Sequence, residues 1–189
     1  MTLLILGLVL FLGVHSVSIV APAWRDAMQS RLGEGPWKGL YSLIAIAGFA
    51  LIVVGYGAAR QAPVVLYAPP TWLRHVAMLL LLPVFTLLLA AYLPGRIKTA
   101  ARHPMLLSVK LWATAHLLAN GTAADLLLFG GFLAWAVADR ISLKHRAQRP
   151  LPGAPAGPLN DAIAVVAGLA IYAVFVFGGH AWLIGVAPV

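Results

Sequence analysis

The chain has 189 residues, of which 62% are hydrophobic and only 10% charged, with a formal net charge of +8 and no cysteine. Soluble domains of this length carry about a quarter charged residues and under half apolar ones, so the composition excludes an ordinary soluble protein and points to an integral membrane protein. Without cysteine there is no disulfide, thiolate nucleophile, iron–sulfur cluster, thiolate-ligated haem or covalently attached haem. Any metal or cofactor is held by His, carboxylate, Met, Tyr or backbone.

In chain order, apolar segments predict an all-α, polytopic membrane bundle of about six transmembrane helices. They fall near Leu3–Val20, Gly39–Ala58, Thr71–Leu93, Pro104–Ala119, Thr122–Ala138 and Asp161–Ile184, each of roughly the 20 residues a bilayer requires, with two shorter. These spans consume the chain, so residues 1–189 read as one transmembrane domain. The first segment, TLLILGLVLFLGVHSVSIV, is followed by APA like a signal peptide. It lacks a positive n-region and is longer than a usual h-region, so it reads as a retained span. Pro83 falls inside the third segment and predicts a kink. Pro104 suits the first turn of a helix. Asn120–Gly121 is a turn signal between the fourth and fifth helices. Thr122 followed by Asp125 fits a capping box, which gives Asp125 a structural task. RPLPGAPAGPLN is a Pro/Gly-rich linker.

Six spans define alternating loops. The first, third and fifth carry Arg25, Arg31, Lys38, Arg96, Lys98, Arg102, Arg140, Lys144, Arg146 and Arg149; the opposite face has Arg60 and Arg74. The positive-inside rule puts the basic loops in the cytoplasm and both termini outside. The net positive charge is thereby explained by topology and anionic headgroups, and nucleic acid is not an expected partner.

Six histidines sort by depth. His103 and His145 belong to the basic face, and His75 and His180 lie near outer ends of helices. Only His15 and His116 fall clearly within spans, where an ionisable residue is a functional candidate by default. Two histidines on different helices, with no cysteine, suit bis-histidine haem b. Gly7 and Ser16 on the first helix, and Ala113, Ala115 and Ala119 on the fourth, leave room for a flat macrocycle or serve close helix packing. The depths differ: His116 is about 18 Å from Pro104 and His15 about 8 Å from Val20. Paired polar contacts between helices account for the two histidines as well as haem does. Lys110, two turns before His116, either meets a propionate or substrate carboxylate or snorkels to the cytoplasmic face.

GVHS near the N-terminus, LGEGPWKGLYSLIA, ARHPMLLSVKLWATAHLLANG and HAWLIGVAPV together resemble the NnrU family of bacterial membrane proteins over nearly the whole chain. That family is similar to the 15-cis-zeta-carotene isomerases, which carry haem b. The resemblance implies His15 (in GVHS) and His116 (in WATAH) as haem ligands and a redox or cis–trans isomerase-like role. A hydrophobic polyene or a respiratory partner, linked to nitrogen-oxide respiration, follows from the same resemblance. Ala113 stands where the isomerases have a cysteine in that stretch, so Cys-to-His ligand exchange has no thiol there. In the haem reading Arg102 would sit near a propionate. RHP before a helix also resembles the S-adenosylmethionine motif of membrane methyltransferases, with Arg102 and His103 holding the cofactor. A non-enzymatic assembly factor or sensor for nitric oxide reductase is the third expectation.

Overall fold

The computed structural model describes every residue except Gln148, Pro150 and Val189. The described residues form ten α-helices and no β-sheet: α1 Thr2–Val20, α2 Pro22–Leu32, α3 Glu34–Ala59, α4 Leu73–Leu81, α5 Val84–Ala90, α6 Arg96–Ala101, α7 Pro104–Ala119, α8 Ala123–Ser142, α9 Asn160–Val174 and α10 His180–Ile184. A π-helical turn, Phe175–Gly179, joins α9 to α10. The chain is an integral membrane protein by its helices: Thr2–Val20, Glu34–Ala59, Leu73–Ala90 and Asn160–Ile184 are long and apolar enough to cross a bilayer. The other two expected spans stop short of that standard. α7 has 16 residues, about 24 Å at 1.5 Å per residue, and α8 carries Asp125, Asp139 and Arg140.

Two compact units emerge, Met1–Ala68 with Gly121–Ala147 and Pro69–Asn120 with Gln148–Val189. The first unit is built on α1, α3 and α8. At the α1–α3 crossing, glycines remove the side chains that would hold two helices apart. A Cβ on Gly48 would lie 2.7 Å from the Phe11 nitrogen, and one on Gly55 would overlap the backbone of Leu3 and Leu4. Gly7 serves the same crossing, since a Cβ there would stand 2.5 Å from the Ile52 nitrogen. With no hydrophobic drive between helices in lipid, this backbone approach is what dispersion and packing require.

The expected capping box is present. Thr122 Oγ1 accepts from the Asp125 amide at 3.2 Å, and Asp125 Oδ2 accepts from the Thr122 amide at 2.9 Å. The extended segment after α3 closes over this point: Leu66 and Tyr67 amides donate to the Gly121 carbonyl at 2.8 and 3.1 Å, and the Ala123 amide donates to the Val64 carbonyl at 2.8 Å. A Cβ on Gly121 would collide with the Tyr67 carbonyl, so the Asn-Gly turn needs its glycine for room. The loops after α3 and after α7 thus meet at one end of this unit. At its other end, the junction of α1 and α2 (Ile19, Pro22) faces the end of α8 (Ile141, Ser142, His145, Arg146) across a groove of about 480 Å³.

In the second unit, α5 packs on α7 and α9, and α4 on α7. Pro83 separates α4 from α5, because its ring removes an amide donor and crowds the preceding turn. The Tyr172 hydroxyl on α9 donates to the Met78 carbonyl beside this kink at 3.1 Å. The Pro/Gly linker is not a free tether where it is described. The Ala154 amide donates to the Tyr92 carbonyl at 2.9 Å. Asn160 Nδ2 donates to the carbonyls of Pro94 and Pro155 at 2.8 and 3.0 Å. Asp161 accepts the Arg96 and Ile97 amides at 2.8 and 3.1 Å, capping α6 from 65 residues away.

Candidate histidine sites

His15 lies on α1 in the first unit and His116 near the end of α7 in the second. Both are half-buried. The two share one local device. His15 Nδ1 is 2.6 Å from the Phe11 carbonyl and His116 Nδ1 is 2.8 Å from the Trp112 carbonyl, four residues back on the same helix in each case. A carbonyl oxygen only accepts, so the nitrogen facing it carries the proton and the lone pair of each neutral imidazole is on Nε2. That is the tautomer with which a histidine ligates a metal through Nε2, and a backbone bond of this kind fixes it.

The wall around His15 is aromatic. Phe11 stacks on it at 4.3 Å between centroids, Tyr41 presents an edge at 5.3 Å, and Trp135 stands perpendicular at 6.0 Å. The indole Nε1 of Trp135 is buried without a hydrogen-bond partner, an uncompensated donor beside the imidazole. Around His116, Trp112 is 5.3 Å away between ring centroids, and Asn120 Nδ2 holds the His116 carbonyl at 2.9 Å. A third imidazole shares this unit: His180 at the start of α10 has its ring centroid 6.5 Å from that of His116. Sequence reasoning set His180 aside as an outer-end residue. Its signal was the Gly178–Gly179 pair that breaks the last helix just before it.

The small residues flanking the two histidines have a packing role. Gly7 is consumed by the α1–α3 crossing, and Ala113 and Ala115 are fully buried. The basic residues next to α7 have a different character. Arg102 is exposed and adopts φ 58°, ψ −48°, the one non-glycine residue with positive φ among those described. His103, restricted by the proline that follows it, is the N-cap residue of α7. Lys110 is half-buried midway along α7. A strained non-glycine backbone costs about 1–3 kcal/mol. Arg102→Gly is therefore expected to raise thermal stability in detergent by a few degrees; a lowered melting temperature would show that the guanidinium contributes more than its backbone costs.

Asp125 belongs to structure rather than chemistry. It is 4% exposed, accepts from the Tyr56 hydroxyl at 2.5 Å and from Thr122 Oγ1 at 2.6 Å, and completes the cap of α8. Its charge is felt outside the helices: partial burial, and then the Asp125 carboxylate, hold the Tyr67 phenol above its ordinary range. At the other end of α8, Arg146 Nη2 pairs with Asp139, both largely buried.

The family model described as NnrU protein matches residues 3–188. The chain belongs to the NnrU family. The match is nearly end to end, so both units of this NnrU protein fall within one family pattern. No curated protein and no solved structure matches the chain. Among the described residues, no group of three or more His, Cys, Asp or Glu side chains converges to hold a metal ion.

Proposed function

We propose that this NnrU protein is a haem b protein of the bacterial inner membrane, with His15 and His116 as its ligand candidates and both termini in the periplasm. The observation that carries the reading is the shared tautomer lock: each of the two histidines at membrane depth has Nδ1 tied to a helix carbonyl and its lone pair on Nε2. The donor set fits haem iron, which asks for neutral imidazole and apolar or aromatic walls, and both are present around His15. When bound, haem supplies a one-electron couple between ferric and ferrous iron. The chain's own residues hold the ring orientations through Phe11 and Trp112, exclude water with Phe11, Tyr41 and Trp135, and offer Lys110, two turns before His116, as a counter-charge for a propionate. A redox or cis–trans isomerase-like role toward a polyene or a nitrogen-oxide respiratory partner follows from the family resemblance.

The topology of six crossings, with the basic loops in the cytoplasm, is supported by the pairing of loops. The loops after α3 and α7 meet each other, as do the α1–α2 junction and the end of α8, and the loop before α6 meets the start of α9. This is the pattern of successive spans that alternate in direction.

The test is the visible spectrum of detergent-purified protein made with ample haem supply, oxidised and dithionite-reduced, beside His15→Ala and His116→Ala. The expected result is a Soret band with sharp reduced α and β bands, both altered in each variant. A colourless, folded protein would overturn the reading. S-adenosylmethionine binding lost in Arg102→Ala and His103→Ala would then assign a methyltransferase, and a stable complex with a respiratory enzyme would assign an assembly factor.

A further inference from the structure

The groove at one end of the first unit has two kinds of wall. Ile19 and Pro22 from the α1–α2 junction, with Ala138 and Ile141 from α8, are apolar, whereas Ser142, His145 and Arg146 bring hydrogen-bond donors. Its depth follows from α1. That helix is long and apolar enough to cross the bilayer and ends at Val20, so a groove bordered by Ile19 lies where hydrocarbon gives way to headgroups.

The polar wall is built by local structure. After α8 the chain stays coiled: the Lys144 and His145 amides donate to the Ile141 and Ser142 carbonyls at 3.0 and 2.9 Å. These tight turns return Arg146 to the helix, where its Nη2 donates to the Asp139 carboxylate and both side chains are only 14% exposed. A guanidinium anchored in this way presents its planar fork of donors at a fixed place. Its Nε is buried with no hydrogen-bond partner, a donor for which the described residues supply no acceptor.

Charge and polarity together select the occupant. From Asp139 to Arg146 the chain carries three cations, Arg140, Lys144 and Arg146, against one carboxylate, and Arg146 already engages that carboxylate. This end therefore favours an anion. A soluble anion gains nothing from Ile19, Ala138 and Ile141. A lipid with a net negative headgroup uses both walls, its phosphate meeting the donors and its acyl chains the apolar side. Basic pockets between transmembrane helices take anionic headgroups on these terms. The volume of about 480 Å³ is also that of a small-ligand site.

We propose that this groove binds one anionic phospholipid, with Arg146, His145 and Ser142 at its phosphate and Ile19, Ala138 and Ile141 along the start of its chains. The inference is independent of haem and of both candidate ligands.

The test is native mass spectrometry of the full-length protein, delipidated in mild detergent and titrated with dioleoylphosphatidylglycerol. Dioleoylphosphatidylcholine and inorganic phosphate are the comparison ligands, and gel filtration checks folding. Asp139→Asn combined with Arg146→Gln removes the pair together, so no buried charge is left alone and the net charge is unchanged. Ala138→Phe, at an exposed position, fills the apolar side without touching the charges, and it decides alone where the double variant does not fold. Lys144→Gln removes one positive charge outside the groove lining. The expected result is one phosphatidylglycerol bound about fivefold or more tighter than phosphatidylcholine. That preference is lost in the double variant and in Ala138→Phe, and kept in Lys144→Gln. Equal affinity for the two lipids overturns the proposal. So does a loss in Lys144→Gln as large as in the groove variants, which would reduce the effect to diffuse attraction by the basic loop. Inorganic phosphate bound as tightly as phosphatidylglycerol, with the same dependence on the Asp139–Arg146 pair, overturns the lipid and leaves a site for a soluble anion.

Discussion

Gly55→Ala is expected to destabilise the protein by about 3 kcal/mol, the upper range for forcing an extra carbon into a packed crossing. The reason is where the new methyl would land. It would overlap backbone atoms of Leu3 and Leu4, not the tip of a flexible side chain, so relief demands that α1 and α3 separate along their length. Leu4 is fully buried and Ile52 nearly so, and both would be loosened by that movement. Gly57→Ala, two residues on, supplies the internal control. No atom lies within 4 Å of a Cβ at that position, and replacing a helical glycine by alanine is favourable by up to about 1 kcal/mol. Chemical denaturation in detergent, followed by tryptophan fluorescence, should therefore move in opposite directions for two substitutions of identical chemistry. Equal effects would mean that the helices do not cross at Gly55.

Asp125→Ala carries the second large effect. One carboxylate serves two purposes, accepting from the Tyr56 hydroxyl of α3 and from the amide and hydroxyl of Thr122. Loss of the cap costs about 1 kcal/mol, and loss of a charge-assisted buried bond about 1.5–3 kcal/mol. The expected total is about 3 kcal/mol, because the Tyr56 hydroxyl and the Thr122 amide are left without this acceptor. A double-mutant cycle with Tyr56→Phe isolates the bond between helices, and a coupling of about 1–2 kcal/mol is expected. A folded, fully stable Asp125→Ala protein that had lost its cofactor or partner would reverse the assignment and make Asp125 a functional residue.

Much of this architecture is written locally. α7 begins at Pro104 and ends at Ala119, where a proline suited to a first turn and an Asn-Gly turn bracket it. The cap of α8 follows from Thr122 and Asp125 alone, three residues apart. The break at Pro83 follows from the missing amide. Other features depend on partners far along the chain. α2 and α6 lie in segments rich in charge, without the long apolar run that marks a span. α6 in particular owes its first turn to Asp161, which no local pattern announces. The linker has the composition of a flexible tether, yet Ala154 and Asn160 are hydrogen-bonded to Tyr92 and Pro94. Composition reports what a segment prefers, not what its neighbours offer it.

The candidate site divides the same way. Hydropathy alone selects His15 and His116, since both fall within apolar segments, His116 in the last turn of its helix. Their Nδ1 bonds to Phe11 and Trp112 depend only on the helix and the side-chain rotamer. The approach of His180 to His116 required a glycine-hinged π-turn and a left-handed Gly185. Neither has a signature that hydropathy can register: the π-turn lies inside what reads as one uninterrupted apolar helix, and Gly185 falls just past its end.

The cap on α6 also bears on how the chain is made. Synthesis delivers Gly95 and Arg96 long before Asp161, so the first turn of α6 emerges with its amides uncapped. The unit that contains it is likewise assembled from two separated stretches, as is the other unit. Neither can close until the ribosome has passed well beyond its first half. Helices already delivered to the bilayer must wait there, exposed to insertion and quality-control machinery, for a late aspartate to finish an early turn.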